Sequence, residues 1–214
     1  MKNMWDMAGP VVVAALAAYF LGNLNGAVTV STLLDKDDVR SHGSGNAGMT
    51  NYMRSYGLQK TGLVVLIDLG KALLACFMGG FLLSPWGYSL EGTLLSGFFV
   101  SLGHDCPVVL GFRGGKGVLC GLGVALAADW RIGAIILGVF LLAVVLTRYV
   151  SLGSCLAAVA FGLCVTLFYP GRWVVTVLGW LIALTVLIMH RGNLKRLFSG
   201  TERKLSFGQK EGRK

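Results

Sequence analysis

The sequence predicts an all-α, polytopic integral membrane helix bundle, and three observations carry that reading. Of 214 residues, 55% are hydrophobic and only 14% are charged, where a soluble domain carries about a quarter charged residues. Apolar runs near the length a bilayer demands of a helix, about 20 residues, recur along the chain. The cations are not spread evenly but gather on alternate loops.

Taken in order, positions 10–32 form a first span, interrupted by the polar pair Asn23 and Asn25. It reads as a span and not as a secretory leader: Lys2 is offset by Asp6, the run is too long, and no A-x-A site follows. The longest polar loop, 34–60, comes next. A second span over 61–83 ends at Pro85-Trp86-Gly87-Tyr88, whose aromatics suit a membrane–water interface. Two shorter apolar pieces, 92–103 and 118–128, flank a glycine-rich stretch. They read as short or broken helices around irregular backbone, which a membrane tolerates only where that backbone lines a protein cavity. Positions 132–146, 152–169 and 173–189 complete seven spans. No internal repeat interrupts them, and the whole of 1–214 reads as one domain.

Charge sets the orientation. Lys36, Arg40, Arg54, Lys60, Arg113, Lys116, Arg148 and the eight cations after His190 fall on one side; Lys2, Arg131 and Arg172 fall on the other. The positive-inside rule then puts the N-terminus outside and the C-terminus in the cytoplasm. The net charge of +9 belongs mostly to these loops and to the tail, where it favours anionic headgroups of membrane lipids and not nucleic acid. Five cysteines lie in or beside apolar segments without C-x-x-C or zinc spacing. No disulfide framework, metal site or cofactor is expected from them.

Three polar stretches, 34–60, 103–117 and 190–204, all fall on the cytoplasmic side, and each holds one of the three histidines. In the second, Gly114, Gly115 and Gly117 surround Lys116 just before an apolar helix begins. Glycines let backbone N–H groups approach an oxyanion, the lysine adds a point charge, and the helix N-terminus adds its dipole. This reads as a phosphate cradle at a membrane surface. It is not a Walker A loop, because Leu110 stands where the first glycine belongs and Gly117 follows the lysine. Gly43, Gly45 and Gly48 match G-x-G-x-x-G, but no βαβ unit can be drawn around them, so a dinucleotide fold is rejected. What remains is a loop of Ser and Asn donors with Arg40 available for a bidentate phosphate contact. His190 and Asn193 lie three apart on one helical face at headgroup level, while Lys195, Arg196 and Lys204 read as a basic flank. Asp68 and Lys71 are also three apart, inside an apolar helix, and either pair with one another or act directly. Gly117 and Gly121 suit close helix packing.

These stretches, GSGNAGMTN at 43–51, GHDCPVVLGFRGGKGV at 103–118, TRYVSL at 147–152 and HRGNLKRLFSGTERK at 190–204, resemble those of the bacterial membrane glycerol-3-phosphate acyltransferases that use acyl phosphate as donor. The resemblance runs in order over nearly the whole chain. It implies seven spans in the bacterial inner membrane and transfer of a fatty acyl group from acyl phosphate to the 1-position of sn-glycerol 3-phosphate. The products would be lysophosphatidic acid and phosphate, with no acyl-enzyme, no metal and no cofactor. It also implies association with other lipid-synthesis enzymes. Motif position points to Arg40, Ser44, Asn46, Lys116, Ser151, His190, Asn193 and Glu202 around the two phosphates, with His104 and Arg113 in the same motifs. The chain departs from the family pattern at Gly22-Asn23-Leu24-Asn25, where a Gly-Ser-Ile-Pro turn is usual, at Met49, and at Leu119-Cys120.

On this reading Lys116, His190 and Asn193 are the catalytic candidates. Arg40, Ser44, Asn46, His104, Arg113, Gly114, Gly115, Gly117, Ser151 and Glu202 are the phosphate-binding candidates. Acyl phosphate is an activated mixed anhydride, so proximity and charge stabilisation do most of the work. The acceptor proton goes to His190 or to a substrate phosphate oxygen. No serine sits in a G-x-S-x-G elbow. The competing readings are a transporter of an organic phosphate, which would distribute polar residues through the membrane depth, and a non-catalytic subunit of a lipid-synthesis complex.

Overall fold

The computed structural model describes residues 3–205, which are helical apart from turns and loops, with no strand among them. Lys2 and the tail cations Lys210, Arg213 and Lys214 lie outside the described residues. Helix α1 spans Ala8–Gly22 and α2 Gly26–Val30, the latter widening into a π turn over Ser31–Asp35. Then follow α3 (Met49–Tyr56), α4 (Thr61–Leu83), α5 (Ser89–Asp105), α6 (Val118–Ala128), α7 (Trp130–Thr147), α8 (Val150–Phe168), α9 (Trp173–Met189) and α10 (Arg191–Phe198).

Local chemistry explains where these helices stop. The first run breaks at the expected asparagines: Asn25 adopts an extended backbone, and its side-chain oxygen accepts the Val28 N–H at 3.0 Å, capping α2. Asp129 caps α7 in the same way, accepting the Arg131 N–H. Gly117 holds a left-handed backbone, φ +67°, at the start of α6, a conformation open to glycine and strained for most other residues.

Helices α4 and α5 form the central pair, α1 lies against both, and α7, α8 and α9 make the second layer. α6 bridges from α4 to α7, and α9 returns to α5. Small side chains let the helices approach: a Cβ on Gly22 of α1 would lie 2.8 Å from Gly103 Cα of α5. The outward faces are apolar, with Phe81 77% and Leu167 73% exposed, as lipid-facing surfaces are.

Two expectations change. The piece at 92–103 is not short or broken but part of the continuous α5, because its glycines are packing contacts and not breaks. Gly97 meets Val124 and Gly103 meets Tyr19. Gly121 makes no close helix contact, so the small-residue pair at 117 and 121 is not a packing motif. Among the described residues five helices are long and apolar enough to cross a membrane by length and composition, or six if α9 and the bent α10 count together. The remaining piece, α6, has 11 residues, and at about 1.5 Å per residue it spans roughly half of a bilayer core.

Candidate functional site

The turns that follow α5 build the site. The Gly115 N–H donates to the His104 carbonyl at 3.0 Å, and the Gly114 carbonyl accepts the Ala47 N–H at 3.4 Å. The loop before α3 is thereby tied to the glycine-lysine turn. Asn51 organises that loop. Its side-chain oxygen accepts the Ser44 N–H, and its amide faces the carbonyls of Val39, His42 and Asn46.

Lys116 projects from the turn to Asn193 of α10, Nζ donating to Oδ1 at 2.5 Å. Asn193 in turn donates to Glu202 Oε1 at 2.6 Å. The same carboxylate accepts Ser151 Oγ at 2.8 Å and Arg196 Nε at 2.7 Å. Glu202 lies on the extended segment after α10, which the Leu205 N–H pins to the Arg148 carbonyl at 2.7 Å. His190, between α9 and α10, donates from Nδ1 to the Val186 carbonyl at 2.8 Å, which leaves Nε2 with its lone pair.

These groups surround a cavity of about 690 Å³. Its mouth is polar, with Ser44, Asn46, Lys116, Ser151, His190, Asn193 and Glu202; its shaft is apolar, with Leu122, Ile136, Leu137, Phe140 and Ala157. A cavity of that volume, polar at one end and greasy at the other, fits an amphiphile with an anionic head. Burial, with the Arg196 charge beside it, lowers the Lys116 pKa, and the Glu202 charge works the other way. Burial also lowers His190, to about 4, against the pull of its bond to Val186. For Glu202, burial acts upward, but the hydrogen bonds from Asn193, Ser151 and Arg196 outweigh it and hold the pKa below the ordinary value.

The structure brings Ser44, Asn46, His104, Lys116, Gly117, Ser151, His190, Asn193 and Glu202 to one cavity, and it leaves four candidates elsewhere. Arg40 turns its guanidinium to the Asp38 carboxylate, with Nη1 on the Leu110 carbonyl at 3.2 Å. A charge so engaged braces the loop and does not face the cavity. Arg113 is exposed on the turn outside the lining. Gly114 gives its carbonyl to the Ala47 N–H, and the N–H of Gly115 is spent inward on the His104 carbonyl. Of the three glycines around Lys116, Gly117 lines the cavity, at the start of α6.

Sequence reading missed Thr50 and Arg54, which line the cavity from α3; their spacing of four, beside Asn51, was the available signal. Arg196 and Arg203 also line it. Arg196, read as a basic flank, instead holds Glu202.

A family model described as glycerol-3-phosphate acyltransferase matches residues 12–200. Relatives bearing that description include one from Clostridioides difficile, 40% identical with 94% of this chain and 97% of the relative covered. Another, from Thermoanaerobacter pseudethanolicus, is 37% identical with 93% and 96% covered. Among solved structures, PlsY, an integral membrane glycerol 3-phosphate acyltransferase, superposes in its glycerol 3-phosphate form with a TM-score of 0.82 at 30% identity, covering 92% of this chain and 96% of that one. Its lysophosphatidic acid form gives 0.80 at the same identity.

Proposed function

This chain belongs to the glycerol-3-phosphate acyltransferase family, and from that premise we propose how its cavity carries out the reaction. The enzyme transfers a fatty acyl group to glycerol 3-phosphate and forms lysophosphatidic acid. The donor is acyl phosphate, whose chain occupies the apolar shaft and whose phosphate lies at Lys116, Gly117 and the start of α6. Glycerol 3-phosphate enters at the polar mouth, among Ser44, Asn46, Arg54 and Arg203. The observation that carries this reading is the meeting of Lys116, Asn193, Ser151, His190 and Glu202 at the top of an apolar shaft.

The 1-hydroxyl oxygen attacks the acyl carbonyl carbon, the carbon–oxygen bond to phosphate breaks, and phosphate departs with that electron pair. Lys116 stabilises the charge growing on the phosphate. His190 presents its Nε2 lone pair to the hydroxyl and aligns it. A phosphate oxygen, whose second ionisation lies near 6, is a competent acceptor for the proton. The departing phosphate, which leaves with the bonding electron pair, takes the hydroxyl proton. Asn193 holds Lys116 in register, and Glu202 gathers Ser151, Asn193 and Arg196 around the mouth.

The whole of 1–214 acts as one acyltransferase domain in the bacterial inner membrane. It has seven crossings, with the short α6 as one of them. The N-terminus is outside, and the stretches 34–60, 103–117 and 190–204 face the cytoplasm, where soluble substrates and other lipid-synthesis enzymes reach the site. Purified protein assayed with acyl phosphate and, separately, acyl-CoA tests the donor. Turnover is expected with acyl phosphate and little with acyl-CoA; equal turnover would overturn the assignment.

A further inference from the structure

A second polar cluster lies deep among α1, α4 and α5 and reaches the cavity wall through Asp68 and His104. Asp68, Lys71 and His104 are 1%, 5% and 4% exposed. Lys71 Nζ donates to the carbonyls of Gly22 at 3.1 Å and Leu24 at 2.5 Å, the open end of α1. It also sits 2.9 Å from Asp68 Oδ1 and 2.8 Å from His104 Nδ1. Asp68 Oδ1 accepts the Gly26 N–H at 3.0 Å, the open start of α2. One ion pair thus satisfies both ends of the break at 23–25, which in a membrane would otherwise leave backbone groups unpaired.

The pair also determines the state of the histidine. Nδ1 faces the Lys71 ammonium at 2.8 Å and Asp68 Oδ1 at 3.5 Å: it accepts from the lysine in a neutral ring or donates to the carboxylate in an imidazolium, and in both forms Nε2 carries a proton. That Nε2 lies under Gly115: a Cβ at position 115 would collide with Nε2 first, ahead of any other atom. The main chain of the same residue holds the turn from the other side, the His104 carbonyl accepting the Gly115 N–H at 3.0 Å. Lys116 is the next residue.

We propose that His104, with its Nε2 proton maintained by the buried Asp68–Lys71 pair, is a positioning residue. Its Nε2–H edge supports the Gly115 turn from beneath and so sets the placement of Lys116. This deepens the acyltransferase reading of the cavity and rests on it. Glycine at 115 is then required for contact with the imidazole and not for an anion-binding N–H.

Glutamine and asparagine separate the two ring nitrogens. His104→Gln carries an amide near the Nε2 position; His104→Asn carries one near Nδ1 and leaves the Nε2 side empty. With both variants purified as full chains in detergent and checked by size-exclusion profile, His104→Gln is expected within about 5-fold of wild-type kcat. His104→Asn is expected to lose 10-fold or more in kcat, with KM for glycerol 3-phosphate changed far less. Equal activity of the two folded variants would overturn the proposal. Gly115→Ala probes the same contact from the turn. If His104 variants fail to fold, Gly115→Ala is expected to lose kcat on its own, and wild-type kcat there would overturn the proposal. In the double variant Gly115→Ala/His104→Asn the losses should not multiply, whereas multiplied losses would mean independent sites. Lys116→Ala in the same series distinguishes the premises: if it keeps full activity the cavity reading fails, whereas its loss with unchanged His104→Asn fails only the positioning role.

Discussion

Lys116 and Asn193 meet side chain to side chain, Nζ to Oδ1 at 2.5 Å, although 77 positions of sequence separate them. The glycine-lysine turn and α10 are thereby one structure. The amide that fixes the lysine is itself fixed by Glu202 at 2.6 Å. A cation held this way, half-buried and pre-aimed, needs little reorganisation when an anionic group arrives.

Lys116→Ala removes that charge. Charge-assisted contacts of this kind contribute about 2–4 kcal/mol to a transition state, so kcat/KM should fall roughly 30- to 1,000-fold. Lys116→Arg should recover only part of the loss, because a planar guanidinium does not fit a turn bounded by Gly115 and Gly117. Lys195→Ala, on the exposed side of α10 and outside the cavity lining, should stay near wild type. Steady-state kinetics with both substrates checks all three.

Glu202→Gln keeps the shape but takes the charge from the group that Ser151, Asn193 and Arg196 share. Arg196 loses its ionic partner and Asn193 loses a charge-assisted acceptor, so Lys116 is held less firmly. The expected result is a fall of at least 10-fold in kcat/KM with a lower thermal midpoint, read by activity and by thermal unfolding in detergent. Unchanged values for both would show that the segment after α10 does not organise the site.

The His190 pKa near 4, against an ordinary 6.5, makes stability depend on pH. The unfolded chain takes up a proton at His190 between those values while the folded chain does not. Folding is therefore disfavoured progressively as pH falls from 6.5 to about 4, and the effect is flat above and below that window. The thermal midpoint of wild type, relative to His190→Gln, should drop across the window. A difference independent of pH would contradict a buried neutral imidazole.

Gly22→Leu places side-chain atoms into α5, where a Cβ alone would come within 2.8 Å of Gly103 Cα. Backbone cannot move aside as a flexible side chain can, and overpacking of this kind costs on the order of 1–3 kcal/mol or more. The variant should show a lowered thermal midpoint and loss of monodisperse protein. Gly121→Ala, with open space around it, should be neutral.

Cysteines introduced one at a time at His42 and Thr201, in a background free of the native cysteines, test the orientation. Both should react with an impermeant thiol reagent only after cells are permeabilised. Labelling of both in intact cells would place the cavity mouth outside and remove the argument for cytoplasmic substrates.

By itself the sequence determined the all-helical membrane class, the approximate limits of most apolar helices, the break at Asn23 and Asn25, and the stretches that carry the site. These follow from hydropathy, chain-breaking chemistry and local spacing, which neighbouring residues settle among themselves. Only the tertiary structure decided which polar groups face one cavity. It turned Arg40 to Asp38 and Leu110, used the Gly115 N–H to hold a turn, and made Glu202 the meeting point of α8 and α10. It also joined the Asp68–Lys71 pair to His104, 33 positions beyond Lys71. A buried donor or acceptor takes whichever partner the packing brings within about 3 Å, and that distance depends on how helices far apart in the chain lie together.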